Sequence, residues 1–451
     1  MSINSAAFSN GETCFYHSDK IIITMSIKAN KNQIKAINAE NGAHLVIASA
    51  GSGKTYTIIQ RSIALINKGL CKPGELLLLT FSRKAADELK KRIIAGLGNC
   101  GNDIVASTFH AFCLQYIIKQ NMKQVTVLDE ESSEKIIKQI VEKHVETFNG
   151  IPSSVMYKLA LKNIQSINLP HDIYAAIKTI KDEYEQYKQV HNVIDFEDMI
   201  NKSIDCLSKN ISLRNTIHKT FKYVMVDEFQ DTSENNFKLL KLLLPEENPN
   251  IFMVGDDWQS IYKFRDAKIE YIVNARKYFD NLTVHSLNSN YRSKKEIVKL
   301  SNRLIAKNRF RSRRWVKSVR GGGGKIYFVK VDSFEMEALI ADTIAKQYDK
   351  KFSIGVLYRN NWQGTFLQSS MNTDDNVKFM TIHGAKGLEF DVVILCGVKD
   401  RLLPDPYTDI EEERRLMYVA LTRAKNCLHI LYHPAYSNPK PQFIEECESY
   451  V

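Results

Sequence analysis

The sequence predicts an α/β fold of two parallel-sheet lobes with a helical insertion in the first, and three observations carry that reading. Short apolar runs bounded by turn or cap residues come in two sets, HLVIAS, ELLLLT, IVAST, KYVMVD, IFMVG and TVHSL, then KIYFVK, IGVLYR, VKFMTIH, DVVILC and CLHILYH. Stretches with apolar residues at helical spacing alternate with them, as expected of parallel strands buried on both faces. The first set is interrupted between about Lys119 and Val190 by a segment without an obvious strand, where EKIIKQIVEKHVETF and IYAAIKTIKDEYEQYK repeat apolar residues at helical intervals.

Taken in order, residues 1–27 show no interpretable pattern and are expected to form an extension. The first lobe should occupy 28–118, pass through a helical subdomain at 119–194, resume at 195–285, and hand over to a second lobe at 286–451. That second lobe carries a basic run, RFRSRRWVKSVRGGGGK. Its four glycines read as a flexible turn before KIYFVK; a phosphate-cradling loop is the sharper alternative, but no helix start follows them.

Composition sets the bounds. The 451 residues are 44% hydrophobic and 25% charged, enough for two or three ordinary cores. A formal net charge of +11 and a pI near 9.0 make a polyanion a natural partner, although generic basicity is the plainer reading of charge alone. Cysteines stand singly at 14, 71, 100, 113, 206, 396, 427 and 447, with no metal-ligand spacing, which suits free thiols in a reducing cytosol. No apolar run approaches membrane-spanning length, and IIITM (Ile21–Met25) is too short for a signal core. The expectation is a cytoplasmic chain with no membrane partner.

The chemistry concentrates in ASAGSGKT, Ala48–Thr55. In the loop Ala50, Gly51, Ser52 and Gly53, the glycines let backbone N–H groups face phosphate oxygens, and the following helix adds its positive end. Lys54 should reach the β- and γ-phosphates and Thr55 should ligate Mg²⁺. Asp227 ends the run KYVMVD, so its carboxylate emerges at the carboxyl edge of the sheet and should hold the same ion. Glu228 beside it suits a general base or water-orienting group. Capping of the next helix is the plainer role for Asp227.

ASAGSGKT, VMVDEFQDTS, MVGDDWQSIY, LNSNYRS, MTIHGAKGLEFD and EEERRLMYVALTRAK follow one another in fixed order. Six such strings in series resemble the UvrD/Rep group of superfamily 1 DNA helicases, from about Lys28 to the C-terminus, and GDDWQSIYKF is most similar to the helicase IV branch. The resemblance implies two RecA-like lobes. It also implies roles: Gln259 as sensor of the γ-phosphate, Arg292 and Arg423 as fingers reaching across from the second lobe, Gln33 and Tyr291 reading and stacking on adenine, and Glu389 on the ribose. For single-stranded DNA it points to Phe81, Arg83, Lys84, Thr108, Phe109 and His110 in the first lobe, to Tyr262, Phe264 and Arg265 behind the sensor, and to Thr381 and His383 in the second.

Departures from the family pattern are part of the reading. Ala48 replaces the first glycine of the generic loop, which this group accepts; Tyr56 stands where an arginine often covers the base; Phe264 stands where the family usually has tryptophan. Only about seventeen residues separate Arg359 from Val377, so the large accessory domain of UvrD and Rep is missing from the second lobe. What the resemblance implies is an ATP- and Mg²⁺-dependent translocase and helicase moving 3′ to 5′ on single-stranded or tailed duplex DNA. The alternative is a DNA-stimulated ATPase subunit serving a nuclease partner, as in two-component anti-phage systems of the Gabija type or in repair.

Overall fold

The computed structural model describes residues 29–119, 125–144, 151–160, 170–434 and 440–448, so the expected N-terminal extension lies outside it. Its first eight strands are β1 (Ala43–Ala48), β2 (Leu76–Thr80), β3 (Val105–Thr108), β4 (Thr126–Val127), β5 (Val193–Ile194), β6 (Tyr223–Val226), β7 (Ile251–Gly255) and β8 (Thr283–Leu287). Six of them form one sheet in the order β3-β2-β6-β7-β1-β8, and every pairing is parallel. All six carboxyl ends therefore share one edge, where sheets of this kind hold ligands.

The inner strands are continuous apolar runs because both their faces are covered, whereas the edge strands β3 and β8 are only partly buried. Every residue of β2, β6 and β7 is buried. On one face, Ile58, Leu65, Leu89 and Ile93 of helices Lys54–Asn67 and Arg83–Leu97 pack on Val46, Leu76 and Leu78. On the other, Met199, Leu207, Phe237 and Leu240 of helices Phe196–Lys209 and Glu234–Leu243 pack on Leu45, Leu77 and Leu79. The alternation along β2 is thus an alternation between two apolar layers.

The helical insertion has its own core. Helices Glu130–Lys143, Ser153–Ala160 and His171–Val190 share Ile137, Ile140, Val141, Met156, Ile177 and Ile180. Thr126 and Val127 of β4 pair in parallel with Val193 and Ile194 of β5, which pins the two ends of the insertion side by side.

Beyond the first sheet, β9 (Ser289–Asn290) and β10 (Lys317–Ser318) make a short ladder. The second sheet contains β11 (Lys325–Lys330), β12 (Ile354–Tyr358), β13 (Val377–Thr381), β14 (Phe390–Val398) and β15 (Ala424–Tyr432), all parallel, in the order β11-β15-β14-β12-β13. Between β12 and β13 stands one ten-residue helix, Asn361–Ser370. Helices Lys295–Ala306 and Ile410–Leu421 cover one face through Ile297, Leu304, Leu416 and Val419.

The four glycines form a turn whose last two amides are already occupied. The N–H groups of Gly323 and Gly324 donate to the Glu296 carboxylate at 3.2 and 2.7 Å, so the phosphate-loop alternative does not hold. A β-carbon at Gly324 would stand 2.7 Å from that of Lys294, which is why the turn is so tight there. Trp258 and Ile261, on the loop after β7 of the first lobe, are buried in the apolar core of the second.

Candidate active site

The phosphate-type loop leaves β1 at Ala48 and ends where Gly53 caps the helix Lys54–Asn67. Gly51 and Gly53 have φ of +66° and +83°, a region that side chains disfavour. Space forbids a substituent as well: a β-carbon on Gly51 would lie 2.6 Å from Arg292 Cβ, and one on Gly53 2.8 Å from Gln33 Nε2. The loop is braced from outside by Asn290 Nδ2 and the Tyr291 N–H, which donate to the carbonyls of Ala50 and Gly51, each at 2.8 Å.

Asp227 and Glu228 follow β6 on the same sheet edge. Glu228 takes a left-handed backbone, φ +51°, which turns its side chain toward the loop, and Lys54 Nζ lies 3.6 Å from its Oε2. Asp227 Oδ1 accepts the Glu228 N–H at 2.9 Å. Burial, reinforced by Glu228, pushes the Asp227 carboxyl above its ordinary range, with Lys54 opposing. Burial works upward on Glu228 too, but Lys54, Lys386, the Gln230 amide and Arg423 prevail and hold it below the usual carboxylate range. Buried neighbouring carboxylates of this kind gain from added positive charge.

Can these residues hold a nucleotide and a divalent cation? Ser52 Oγ and Asp231 Oδ1 are buried at this edge without a hydrogen-bond partner among the described residues. No group of three or more His, Cys, Asp or Glu among them is placed to hold a metal unaided. Hard oxygen donors without a complete protein cage fit Mg²⁺, which is commonly bound through one or two carboxylates plus phosphate oxygens and waters.

Across the cleft, Arg423 stands at the end of helix Ile410–Leu421 with its side chain fully enclosed. Its guanidinium donates to the carbonyls of Val419 and Leu388, at 2.9 and 3.1 Å, and across the cleft to Gln259 Oε1 at 3.0 Å. Burial and the nearby Arg292 disfavour its charge. Arg292 donates to Glu389 Oε2 at 2.7 Å and to the Thr422 carbonyl at 3.2 Å. Gln259 in turn donates to Asp256, so one chain of bonds runs from the second lobe into the loop after β7.

The remaining expected nucleotide residues sit close by with their polar atoms engaged. Gln33 is 2% exposed, its amide donating to Ser52 O at 3.0 Å while its carbonyl accepts the Asn30 N–H at 2.9 Å. Reading an adenine edge would require those bonds to exchange. Tyr291 accepts from Asn30 Nδ2 at 2.8 Å. Glu389, expected on the ribose, is ion-paired to Arg292 and to Lys425, at 2.7 and 3.0 Å.

The expected strand contacts divide. Tyr262, Phe264 and His383 gather where the lobes meet, with ring centroids 5.4 to 6.2 Å apart, and Arg265 lies over both Tyr262 and Phe264. Phe264 is 65% exposed. Arg83 and Lys84 are exposed at the first turn of helix Arg83–Leu97, where no acidic residue balances the helix end, an arrangement that favours an anion. Thr108 caps the turn Phe109–Phe112, Thr381 accepts the Gly384 N–H, and His110 packs edge-on against Phe196. Phe109 is a correction. It is 2% exposed in the first lobe's core and shields one side of the partly buried Phe81, because the turn after β3 aims it inward.

Sequence reasoning missed the residues that join these parts. Lys386 Nζ reaches from the second lobe to Asp231 at 2.6 Å and to the Gln259 carbonyl at 3.1 Å, and lies over the Tyr262 ring. Gln230 links Glu228 Oε2, at 2.6 Å, to the Asp256 N–H, at 2.8 Å. Both stand inside the quoted motifs, where an amide and a lysine near carboxylates were the available signal.

The sheets, glycine loop and trans-cleft guanidinium define a two-lobe P-loop architecture with a nucleotide-type cleft. The comparisons agree: residues 29–280 match the UvrD/REP helicase N-terminal domain, and residues 285–374 and 364–435 match the UvrD-like helicase C-terminal domain. The chain belongs to the UvrD/Rep helicase family. It is 32% identical over 361 residues to the ATP-dependent DNA helicase Rep of Buchnera aphidicola subsp. Schizaphis graminum, covering 76% of this chain and 54% of that protein. With a probable DNA helicase of Mycoplasma pneumoniae it shares 27% identity over 446 residues, 89% of this chain and 83% of that one. With the ATP-dependent DNA helicase PcrA of Staphylococcus epidermidis strain RP62A the figures are 28% over 377 residues, 79% and 51%. The chain thus spans about half the length of its Rep and PcrA relatives. No described helix is long and apolar enough to cross a membrane.

Proposed function

We propose that this chain is an ATP- and Mg²⁺-dependent translocase that moves 3′ to 5′ along single-stranded DNA and unwinds tailed duplexes. The observation that carries this is the bond chain from Arg423 through Gln259 to Asp256, on the loop that presents Tyr262 and Phe264 a few residues later. One short covalent path thereby serves both hydrolysis and base stacking.

In this reading the Gly51–Gly53 backbone and Lys54 bind the phosphates, and Thr55 and Asp227 hold the cation, which supplies positive charge to the phosphate oxygens when bound. Lys54 exchanges Glu228 for phosphate, leaving Glu228 to orient the attacking water and accept its proton. Arg423 and Arg292 add donors where charge builds on the transferred group, a contribution typically on the order of 10³ to 10⁵ in rate. Because Arg423 holds Gln259 only while the lobes are closed, hydrolysis and opening are coupled. Tyr262, Phe264 and His383 offer π-faces of the sequence-tolerant kind that lets a strand be gripped and released.

The test is strand displacement on 3′-tailed and 5′-tailed duplexes with ATP and Mg²⁺. Unwinding of the 3′-tailed substrate alone supports the reading, and the opposite polarity refutes it. ATP hydrolysis without unwinding, restored by a nuclease partner, moves the chain to the subunit reading. Lys54→Ala is the control: its turnover should vanish while DNA binding stays measurable.

A further inference from the structure

Arg314 lies in the basic run Arg309–Lys325, where charge density suggests a solvated surface. Its side chain is instead 3% exposed, and the two carboxylates that it meets, Asp256 and Asp257, are fully buried. One guanidinium nitrogen pairs with Asp256 and another with Asp257, while Nε donates to Ser49 Oγ at 3.2 Å, at the foot of the glycine loop. The Trp258 ring lies 4.0 Å below the guanidinium carbon. Ser312 completes the cluster, its N–H and hydroxyl both donating to Asp257 at 2.7 Å while its carbonyl accepts from Trp258 Nε1 at 3.2 Å. Reciprocal bonds between Val316 and Asn302 tie this segment to helix Lys295–Ala306 of the second lobe.

Asp256 is the junction. One of its oxygens takes Arg314 and the other takes the amide of Gln259, while its N–H donates to Gln230, which holds Glu228. We propose that Arg314 is a positioning residue for ATP hydrolysis: it fixes the Asp256 carboxylate that aims Gln259, and binds that carboxylate to the glycine loop and to the second lobe at once. A guanidinium suits this because its planar fork can serve three acceptors in fixed directions, which an ammonium cannot. The loop after β7 is then held to the second lobe through Trp258 and Arg314. This inference rests on the ATPase reading above.

The test uses the full chain and two variants, since removing the cation alone would strand two buried carboxylates. Arg314→Lys keeps the charge and loses the fork; Arg314→Gln with Asp257→Asn replaces the Arg314–Asp257 pair by neutral amides and leaves the Asp256 carboxylate to the Gln259 amide and the Trp258 N–H. Steady-state hydrolysis of ATP with single-stranded DNA and thermal melting are measured together. Both variants are expected to lose roughly tenfold in kcat, with KM for ATP within about twofold and melting retained, as for a group acting in the transition state rather than in binding. The proposal is overturned if both keep kcat within about twofold, or if kcat falls only as far as the folded fraction falls. A wild-type chain that does not hydrolyse ATP would instead sink the ATPase reading itself.

Discussion

Gln259 and Phe264 stand five positions apart on one loop, in opposite surroundings. Gln259 is 3% exposed and bonded to Asp256 and Arg423; Phe264 is 65% exposed, its ring steeply inclined to those of Tyr262 and His383 and covered by Arg265. The cleft is a region of mutual constraint. Lys54, Glu228, Arg423, Lys386 and Asp231 each have a partner whose own position depends on them. The aromatic row is built for tolerance, since tilted rings and a cation above them accept many geometries at little cost. A site that must align an in-line displacement needs the first arrangement, and one over which a polymer slides needs the second.

That contrast is tested most severely by Lys54→Ala, which should take ATP turnover down by at least about 10³-fold, because it removes a phosphate contact and frees Glu228. Steady-state phosphate release measures it, and retained turnover removes the site assignment. Arg423→Ala should lower hydrolysis by roughly 10³-fold with ATP affinity nearly normal. Equilibrium binding alongside turnover separates the two effects, and an unchanged rate would show that no trans-lobe finger operates there. Phe264→Ala should weaken single-stranded DNA binding by about 1 to 3 kcal/mol without altering DNA-free hydrolysis. Fluorescence anisotropy on oligonucleotides reads this, and an unchanged affinity would dissolve the distinction between the two regions. Phe109→Leu marks the small end: a stability loss of about 1 kcal/mol, with DNA affinity per folded molecule unchanged. A loss of affinity there would return Phe109 to the strand path.

The inner strands of the two sheets, β1, β2, β6, β7, β12, β14 and β15, were legible because each is a mostly apolar run buried on both faces, and the edge strands β3, β8, β11 and β13, only partly buried, were legible from shorter apolar runs between turn residues. The two-residue strands β4, β5, β9 and β10 were not, since two residues carry no period and their pairing is decided by distant chain. The glycine loop and the carboxylates after β6 were readable from residue type and spacing. Phe109 was misread because an aromatic next to a polar turn looks alike in sequence whether it faces core or solvent. Arg314 was invisible for a different reason: among so many cationic neighbours, nothing local separates the one that turns inward.

The ladder between β4 and β5 has a consequence for the chain's architecture. Parallel neighbours lie roughly 4.8 Å apart, so the polypeptide leaves the first lobe and returns to it within a single strand spacing. The described helices between Val127 and Val193 thereby form a cassette with its own apolar interior, entered and left side by side and tied to the first lobe by Lys188 on Asp195 and Asp198. Such a cassette can be exchanged, lengthened or reshaped by selection or by an engineer while the sheet behind it, and the cleft on that sheet's edge, keep their geometry.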